Sequence, residues 1–88
     1  MPEVEITDRF IKTYKKLPVE IQKKIQKTIR LLGNDPFHPS LRSKPIRGAP
    51  GIYEASVDMN YRMTYERLPG DVLRLRVVGP HDKVLDNP

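Results

Sequence analysis

Three strand-like segments joined by very short connections constrain the fold more than any other feature of this sequence. IYEASV (52–57), YRMTYE (61–66) and VLRLRVV (72–78) are rich in the β-branched and aromatic residues that favour strands. The connections 58–60 and 67–71 are too short for the crossover that a parallel pair requires. The segments therefore predict an antiparallel meander.

The residues before this meander predict one further strand and two helices. EVEI (3–6) alternates as an edge strand does, and Thr7 suits the N-cap of a first helix. Pro18 suits the first position of a second helix, which Gly33-Asn34 should end. The second helix places its apolar residues on one face: Ile21, Ile25, Ile29 and Leu32. The predicted fold class is α+β, in the order β-α-α-β-β-β, with a two-helix hairpin packed on a small, mainly antiparallel sheet.

Composition indicates a single soluble domain spanning residues 1–88. The chain has 88 residues, of which 38% are hydrophobic and 31% are charged, and it has no cysteine. These values are typical of one globular domain in a reducing compartment. No apolar segment resembles a signal peptide or approaches membrane-spanning length, so we expect a cytoplasmic protein.

Positive charge is concentrated in the first part of the chain. Residues 1–50 carry eleven Lys/Arg against five Asp/Glu, whereas residues 51–88 carry five against six. A small basic domain attracts polyanions, and nucleic acid is the commonest of these in a cytoplasm. The proline-rich loop 35–51 brings Lys44 and Arg47 to the point where the meander begins.

The requirement to bury one face of the sheet predicts the strand register. A two-residue loop at Pro69-Gly70 would turn Arg62 toward the core. A three-residue loop, Leu68-Pro69-Gly70, instead pairs Arg67 with Asp71 and places Gly70 where a left-handed residue is needed. The same reasoning predicts a three-residue loop at 58–60, with Asn60 in the left-handed conformation.

This register predicts that Arg62 faces Arg76 across the uncovered side of the sheet. Like charges in direct cross-strand pairs destabilise a sheet, and Glu54 is the one acid on a diagonal to Arg62. The pair is either a surface feature relieved by Glu54 and water or an anion site, since guanidinium groups match phosphate oxygens. His81 should emerge at the same end of the sheet, where it could exchange protons near neutral pH.

The run DPFHPSLRSKPIRGAPGIYEASVDMNYRMTYERLPGDVLRLRVVGPHD resembles the RelE/ParE superfamily of type II toxins, especially its RelE and YafQ branches. The resemblance includes the LPVEIQKKI helix, the P-x-x-G-x-x-G-I-Y approach to the sheet, the Y-R-M-T-Y strand and the G-x-H-D ending. It implies the same β-α-α-β-β-β fold with an open concave sheet face. It also implies a toxin that cleaves mRNA, often in the ribosomal decoding site, and so inhibits translation.

The resemblance assigns site residues by position. Arg62 matches the arginine that contacts the scissile phosphate, and His81 matches a position held by arginine or histidine. Arg76 is added as a catalytic candidate from the predicted register, while Lys44, Arg47 and Arg74 are assigned to the nucleic-acid backbone. In this scheme the ribose 2′-OH attacks the adjacent phosphate, and His81 acts as either acid or base. The acidic residues lack the spacing of a two-metal site, so we expect neither a metal nor another cofactor.

The implied partners are a cognate antitoxin, mRNA and the ribosome, with no membrane. An acidic segment of the antitoxin is expected to cover the basic face. Two alternatives stay open: a gyrase-directed toxin of the same fold, and a catalytically weak homologue that acts mainly as an antitoxin-binding partner. Two residues favour the second alternative: Leu85, which stands where an aromatic residue is usual in these branches, and Glu54.

Overall fold

A five-stranded sheet with two long helices on one face makes up most of the computed structural model, which describes residues 2–88. Met1, the first residue of the predicted domain, lies outside the described residues. Along the sheet the strand order is β1-β5-β4-β3-β2. The elements are β1 (Glu3–Ile6), α1 (Asp8–Lys15), α2 (Val19–Asn34), a 3₁₀ turn (Pro39–Leu41), β2 (Lys44–Pro45), β3 (Ile52–Ser56), β4 (Tyr61–Leu68), β5 (Val72–Pro80) and α3 (His81–Asp86).

The helical hairpin forms where capping residues and prolines predict it. Thr7 caps α1, because its Oγ1 accepts a hydrogen bond from the Phe10 N–H at 3.2 Å and donates one to the Leu75 carbonyl at 2.8 Å. The cap therefore also ties α1 to β5. Pro18 directly precedes α2, and the helix continues through Asn34 until the Asp35-Pro36 step prevents its extension. No helix among residues 2–88 is long and apolar enough to cross a membrane.

One apolar core fills the space between the helices and the sheet. Its fully buried members come from both layers: Phe10, Ile25, Leu32, Leu41, Ala55, Met63, Tyr65, Leu73, Leu75 and Val78. Alternate residues of β3 and β4 point toward the helices, which confirms the predicted core face of these strands. The α+β fold class and the antiparallel meander are thus confirmed. The parallel pairing of β1 with β5 explains why the sheet is only mainly antiparallel.

The hairpin of β3 and β4 has the predicted register but a different turn conformation. Val57 N–H donates to the Tyr61 carbonyl at 3.0 Å, so the turn comprises residues 58–60. Asn60 does not adopt a positive φ, contrary to expectation. The reason is that Asp58 Oδ1 accepts the N–H groups of Asn60 and Tyr61, and this side-chain turn closes the hairpin without a left-handed residue.

The hairpin of β4 and β5 departs from the predicted register. Its turn is Pro69-Gly70-Asp71, and Leu68 lies opposite Val72, which shifts the pairing by two residues and preserves the faces of the strands. Farther from the turn, Tyr65 pairs with Leu75 but Thr64 pairs with Val77. Strand β5 therefore has one extra residue at this point, which is a β-bulge. Beyond the bulge every β5 residue changes face.

The predicted pairing of Arg62 with Arg76 is wrong, because the turn shifts the register by two residues and the bulge shifts it by one more. Arg76 is the extra residue of the bulge, and Arg62 lies opposite Gly79. Val78 consequently enters the helix-covered core in the place predicted for Val77. A bulge shows in a sequence only where it interrupts the alternation of apolar and polar residues. The residues after Arg76 are Val77-Val78-Gly79, none of which is polar, so the change of face leaves no trace in the sequence.

The short helix α3 was not predicted, and it changes the surroundings of the uncovered side. We call this side the site face; it carries Glu54, Ser56, Arg62, Thr64, Glu66 and Arg74. Helix α3 packs against β4 and β5 and buries Val84. The Pro88 carbonyl then accepts hydrogen bonds from Thr64 Oγ1 at 3.2 Å and Arg76 Nε at 3.0 Å. The concave face is therefore partly roofed by its own chain.

Candidate nucleic-acid and catalytic site

Arg62 is held at one end of the site face by the turn that precedes it. Its Nη1 donates to the Asp58 carbonyl, and also to the Tyr61 carbonyl at 3.0 Å. The side chain is half-buried, and within residues 2–88 its hydrogen bonds use this one nitrogen. The guanidinium is thus fixed in position while its remaining N–H groups are available to an anion.

Asp58 organises the turn that holds Arg62. Its carboxylate accepts the Asn60 N–H at 2.8 Å and the Tyr61 N–H at 2.9 Å, and Lys24 Nζ lies 3.2 Å from its Oδ2. Burial tends to raise the pKa of Asp58, but the backbone hydrogen bonds and the Lys24 ammonium outweigh it, and the pKa lies below its ordinary value of 3.8. The ionised side chain keeps the Asp58 carbonyl directed at Arg62.

His81 lies at the same end of the sheet as Arg62, as predicted. It is the first residue of α3, and its backbone N–H donates to the Asn60 carbonyl at 2.9 Å. Its imidazole is 43% exposed, with Nδ1 3.5 Å from Asp82 Oδ1. The β5–α3 junction is therefore attached to the same turn that positions Arg62. A phosphate bound by Arg62 would meet a histidine that is accessible to solvent protons.

Arg76, the third catalytic candidate, is already engaged by other groups of the chain. Its Nη1 lies 2.6 Å from Glu66 Oε1, and its Nε donates to the Pro88 carbonyl. The register that made Arg76 a neighbour of Arg62 does not occur. Arg76 could bind substrate only after Pro88 leaves it, and its Glu66 partner would still offset its charge.

The predicted backbone-binding residues divide into two groups. Lys44 and Arg47 are exposed and line one cleft of about 310 Å³ at the β2 edge of the sheet. Arg74 lies elsewhere, beside the opposite edge strand, with its Nε 3.4 Å from Glu5 Oε1. The structure thus brings Lys44 and Arg47 together and leaves Arg74 apart from them.

Glu54 is the site-face residue whose surroundings the sequence did not reveal. Its side chain is only 6% exposed, and Lys44 Nζ lies 3.8 Å from its Oε1. The cleft that contains Lys44 and Arg47 is also lined by Glu54 and Leu85. Alternation had placed Glu54 on an uncovered face, where an acid is ordinarily solvated. Its burial follows from β2 and α3, which the sequence pattern did not predict.

No group of three or more histidine, aspartate or glutamate side chains within the described part of the chain could hold a metal ion. The chemistry that these residues themselves offer is charge stabilisation by arginine and lysine and proton transfer by histidine or carboxylate.

Comparisons with known proteins bear on the fold. No protein-family model matches the chain, and no curated protein matches it either. Solved structures do match it at low identity. The toxin chain of the E. coli DinJ–YafQ toxin–antitoxin complex has a TM-score of 0.76 at 20% identity, covering 94% of this chain and 96% of that one.

Two further structures extend the likeness beyond YafQ. The archaeal RelE–RelB complex from Pyrococcus horikoshii gives a TM-score of 0.72 at 19% identity, covering 90% of this chain and 93% of that one. The YoeB/ParE toxin from Agrobacterium tumefaciens gives 0.73 at 19% identity, covering 90% of this chain and 98% of that one. The chain therefore has the fold that is common to YafQ, RelE and YoeB/ParE toxins.

Proposed function

We propose that this chain is the toxin of a type II toxin–antitoxin system, a metal-independent endoribonuclease that cleaves mRNA on the ribosome in the cytoplasm. The observation that carries the proposal is the joint attachment of Arg62 and His81 to the 58–60 turn, which brings a guanidinium and an imidazole to one end of the site face. The shared fold with YafQ and RelE toxins supports it. The positive charge of residues 1–50 supports a nucleic-acid substrate.

The proposed reaction is transesterification by the ribose 2′-OH. The 2′-oxygen attacks the neighbouring phosphorus, and the P–O5′ bond breaks to leave a 2′,3′-cyclic phosphate and a 5′-hydroxyl end. Arg62 stabilises the charge on the pentacoordinate phosphate, and His81 exchanges a proton with a reacting oxygen. Lys44 and Arg47 hold the RNA backbone beside the sheet, a contact that fixes position rather than sequence. Arg76 adds a second cation when Pro88 moves away.

Removal of either central side chain should abolish most of the cleavage. We expect His81→Ala to lower the rate of mRNA cleavage in a translating extract by about 10²–10⁴-fold, the range typical of general acid–base groups. Arg62→Ala should lower it by roughly 10²–10³-fold, since it removes transition-state charge stabilisation. Arg30→Ala is a matched control for Arg62→Ala, because Arg30 is exposed on α2, on the other side of the sheet from the site face. Full activity in both site variants would contradict the proposal.

An antitoxin is the proposed protein partner. Two of the similar structures are complexes of a toxin-fold chain with a second protein, DinJ–YafQ and RelE–RelB. A basic cleft and a partly roofed site face would be neutralised by an acidic segment laid across them. Co-expression with the protein encoded by the adjacent gene should protect cells and yield a stable complex whose formation weakens as salt concentration rises.

The second candidate is a homologue without catalytic activity. Two contacts favour it: the Pro88 carbonyl accepts a hydrogen bond from Arg76, and Leu85 lines part of the cleft. Induction of the chain without antitoxin, followed by mapping of mRNA 5′ ends, distinguishes the candidates. A ribonuclease produces growth arrest with new 5′ ends inside coding sequences. A binding partner without activity leaves growth and mRNA unchanged, and a gyrase-directed toxin arrests growth with mRNA intact.

A further inference from the structure

We propose that Glu54 is the general base of the reaction, which removes the proton from the ribose 2′-OH, and that His81 is the general acid for the leaving 5′-oxygen. This assignment rests on the proposed ribonuclease function and specifies which group performs each proton transfer at that site.

The burial of Glu54 is the first observation behind this assignment. The carboxylate is almost withdrawn from water, and its partner Lys44 is 3.8 Å away and itself 68% exposed. Within residues 2–88, Glu54 accepts no side-chain or capping hydrogen bond from a backbone N–H or a hydroxyl group. A buried carboxylate with one long ion pair contributes little to stability. Such a group is held where substrate, rather than the protein, would complete its hydrogen bonding.

The cleft around Glu54 combines two cations with one buried carboxylate. Lys44 and Arg47 line its sides, Leu85 of α3 forms another wall, and Glu54 is its buried carboxylate. The two cations attract a phosphodiester backbone. A carboxylate in such a place repels phosphate, so its use must lie in contact with a neutral hydrogen-bond donor. The ribose hydroxyl next to each phosphate is such a donor.

Strand register and helical spacing place Arg62 and His81 near this cleft. Glu54 pairs with Thr64, and Ser56 pairs with Arg62, so Arg62 is the diagonal neighbour of Glu54 on the same face, about 7–8 Å away between backbones. On α3, His81 and Leu85 are four residues apart and share one side of the helix. Since Leu85 lines the cleft, His81 lies one helical turn from it.

The proton transfers balance with these roles. The Glu54 carboxylate takes the 2′-OH proton as O2′ bonds to phosphorus, and Arg62 neutralises the phosphate oxygens. The P–O5′ bond breaks, and the imidazolium of His81 gives its proton to the departing 5′-oxygen. Glu54 ends protonated and His81 ends neutral, and exchange with water restores both. Catalysis by one base and one acid gives a bell-shaped dependence of the rate on pH, in which the acidic limb belongs to the base and the alkaline limb to the acid.

A substrate with a better leaving group separates the acid from the base. In RNA with sulfur in place of the bridging 5′-oxygen at the cleavage site, the leaving thiolate needs no proton. We expect His81→Ala to regain most of its lost rate on this RNA, whereas Glu54→Gln stays about 10²–10⁴-fold below wild type on both substrates. On ordinary RNA, Glu54→Gln should lose the acidic limb of the pH–rate profile, and Glu54→Asp should retain that limb at a lower rate.

A control variant tests whether the loss of rate is specific to Glu54, and the wild-type chain tests the proposed ribonuclease function by itself. Glu20→Gln removes an exposed carboxylate on α2 and should leave rate and pH profile unchanged. Rescue of Glu54→Gln by the sulfur substrate, or an intact acidic limb in Glu54→Gln, would show that another group is the base. In that case the ribonuclease proposal survives. A wild-type chain that cleaves neither RNA removes both proposals together.

Discussion

The two hairpins of the sheet share β4 but differ in how regularly their strands pair. The hairpin of β3 and β4 keeps one register from the pair of Ile52 with Glu66 up to its turn, whereas the hairpin of β4 and β5 contains a bulge at Arg76. Its turn also contains two successive left-handed residues, Gly70 and Asp71. The first hairpin is ordered by an aspartate side chain in its turn and the second by backbone conformation.

This difference decides what the site face contains. The regular hairpin sets Glu54, Ser56, Arg62 and Thr64 on one face at fixed spacing. The bulge changes the face of every β5 residue that follows it, so Val77 turns toward α3 and Val78 toward the core. Without the bulge, Arg76 would lie opposite Thr64, as a diagonal neighbour of Arg62 on the site face. With it, Arg76 is held by Glu66, and the proposed anion site has one central arginine rather than two.

The strongest test of the bulge is a matched pair of valine-to-threonine substitutions, which keep the shape and add a hydroxyl. Val78→Thr places that hydroxyl in the apolar core and should lower the free energy of unfolding by about 1–3 kcal/mol. Val77 is also buried, but it lies opposite Thr64, whose hydroxyl bonds the Pro88 carbonyl, so the hydroxyl of Val77→Thr has polar groups near it and the cost should be smaller by about 1 kcal/mol. Urea denaturation of both variants measures this. The reverse order would indicate a sheet with no bulge.

The turns provide a second contrast of about 1 kcal/mol or less. Asp71 has φ 59°, so Asp71→Gly relieves a left-handed aspartate and should raise the free energy of unfolding by up to about 1 kcal/mol. Asn60 has no positive φ, so Asn60→Gly should lower it by about 0.5–1 kcal/mol through added freedom of the unfolded chain. Thermal unfolding shows the sign of each change. Stabilisation by both would mean that the two turns do not differ as described.

The smallest effect concerns the pH dependence of the first hairpin. Because the folded pKa of Asp58 is depressed, its stabilising contribution is complete above the unfolded value of about 3.9 and is lost as pH falls through the lower folded pKa. Asp58→Asn should therefore be less stable than wild type at pH 7, by less than about 1 kcal/mol. The difference in free energy of unfolding between the two chains should become smaller below pH 4. Glu20→Gln, at an exposed carboxylate, should show no such narrowing.

Periodicity and capping were sufficient to predict the helices, the meander and its core face. Thr7, Pro18 and the Gly33–Pro36 region mark the helix ends, and the alternation of Tyr53 with Ala55 and of Met63 with Tyr65 marks the buried side. These signals are local, so the sequence carries them directly. The resemblance of the chain to RelE/ParE toxins is confirmed by the structures for the fold.

The features that sequence reasoning missed depend on contacts between distant segments. Strand β2 is only Lys44–Pro45 and exists because β3 lies beside it. Helix α3 is six residues long and is stable only against the sheet, where Val84 is buried. The burial of Glu54 depends on both elements. The placement of Arg62 and His81 at one end of the sheet follows the strand pattern and was predicted, whereas the burial of Glu54 was not.

The parallel pairing of β1 with β5 has a consequence for the nascent chain. The first of the five strands to be synthesised must wait for the last, because residues 3–6 pair with residues 72–75. At roughly 5–20 residues per second, this delay is on the order of 4 to 14 s. During that time β1 has no strand with which to pair. The proposed activity also needs His81, so a chain still being translated cannot yet cleave the messages around it.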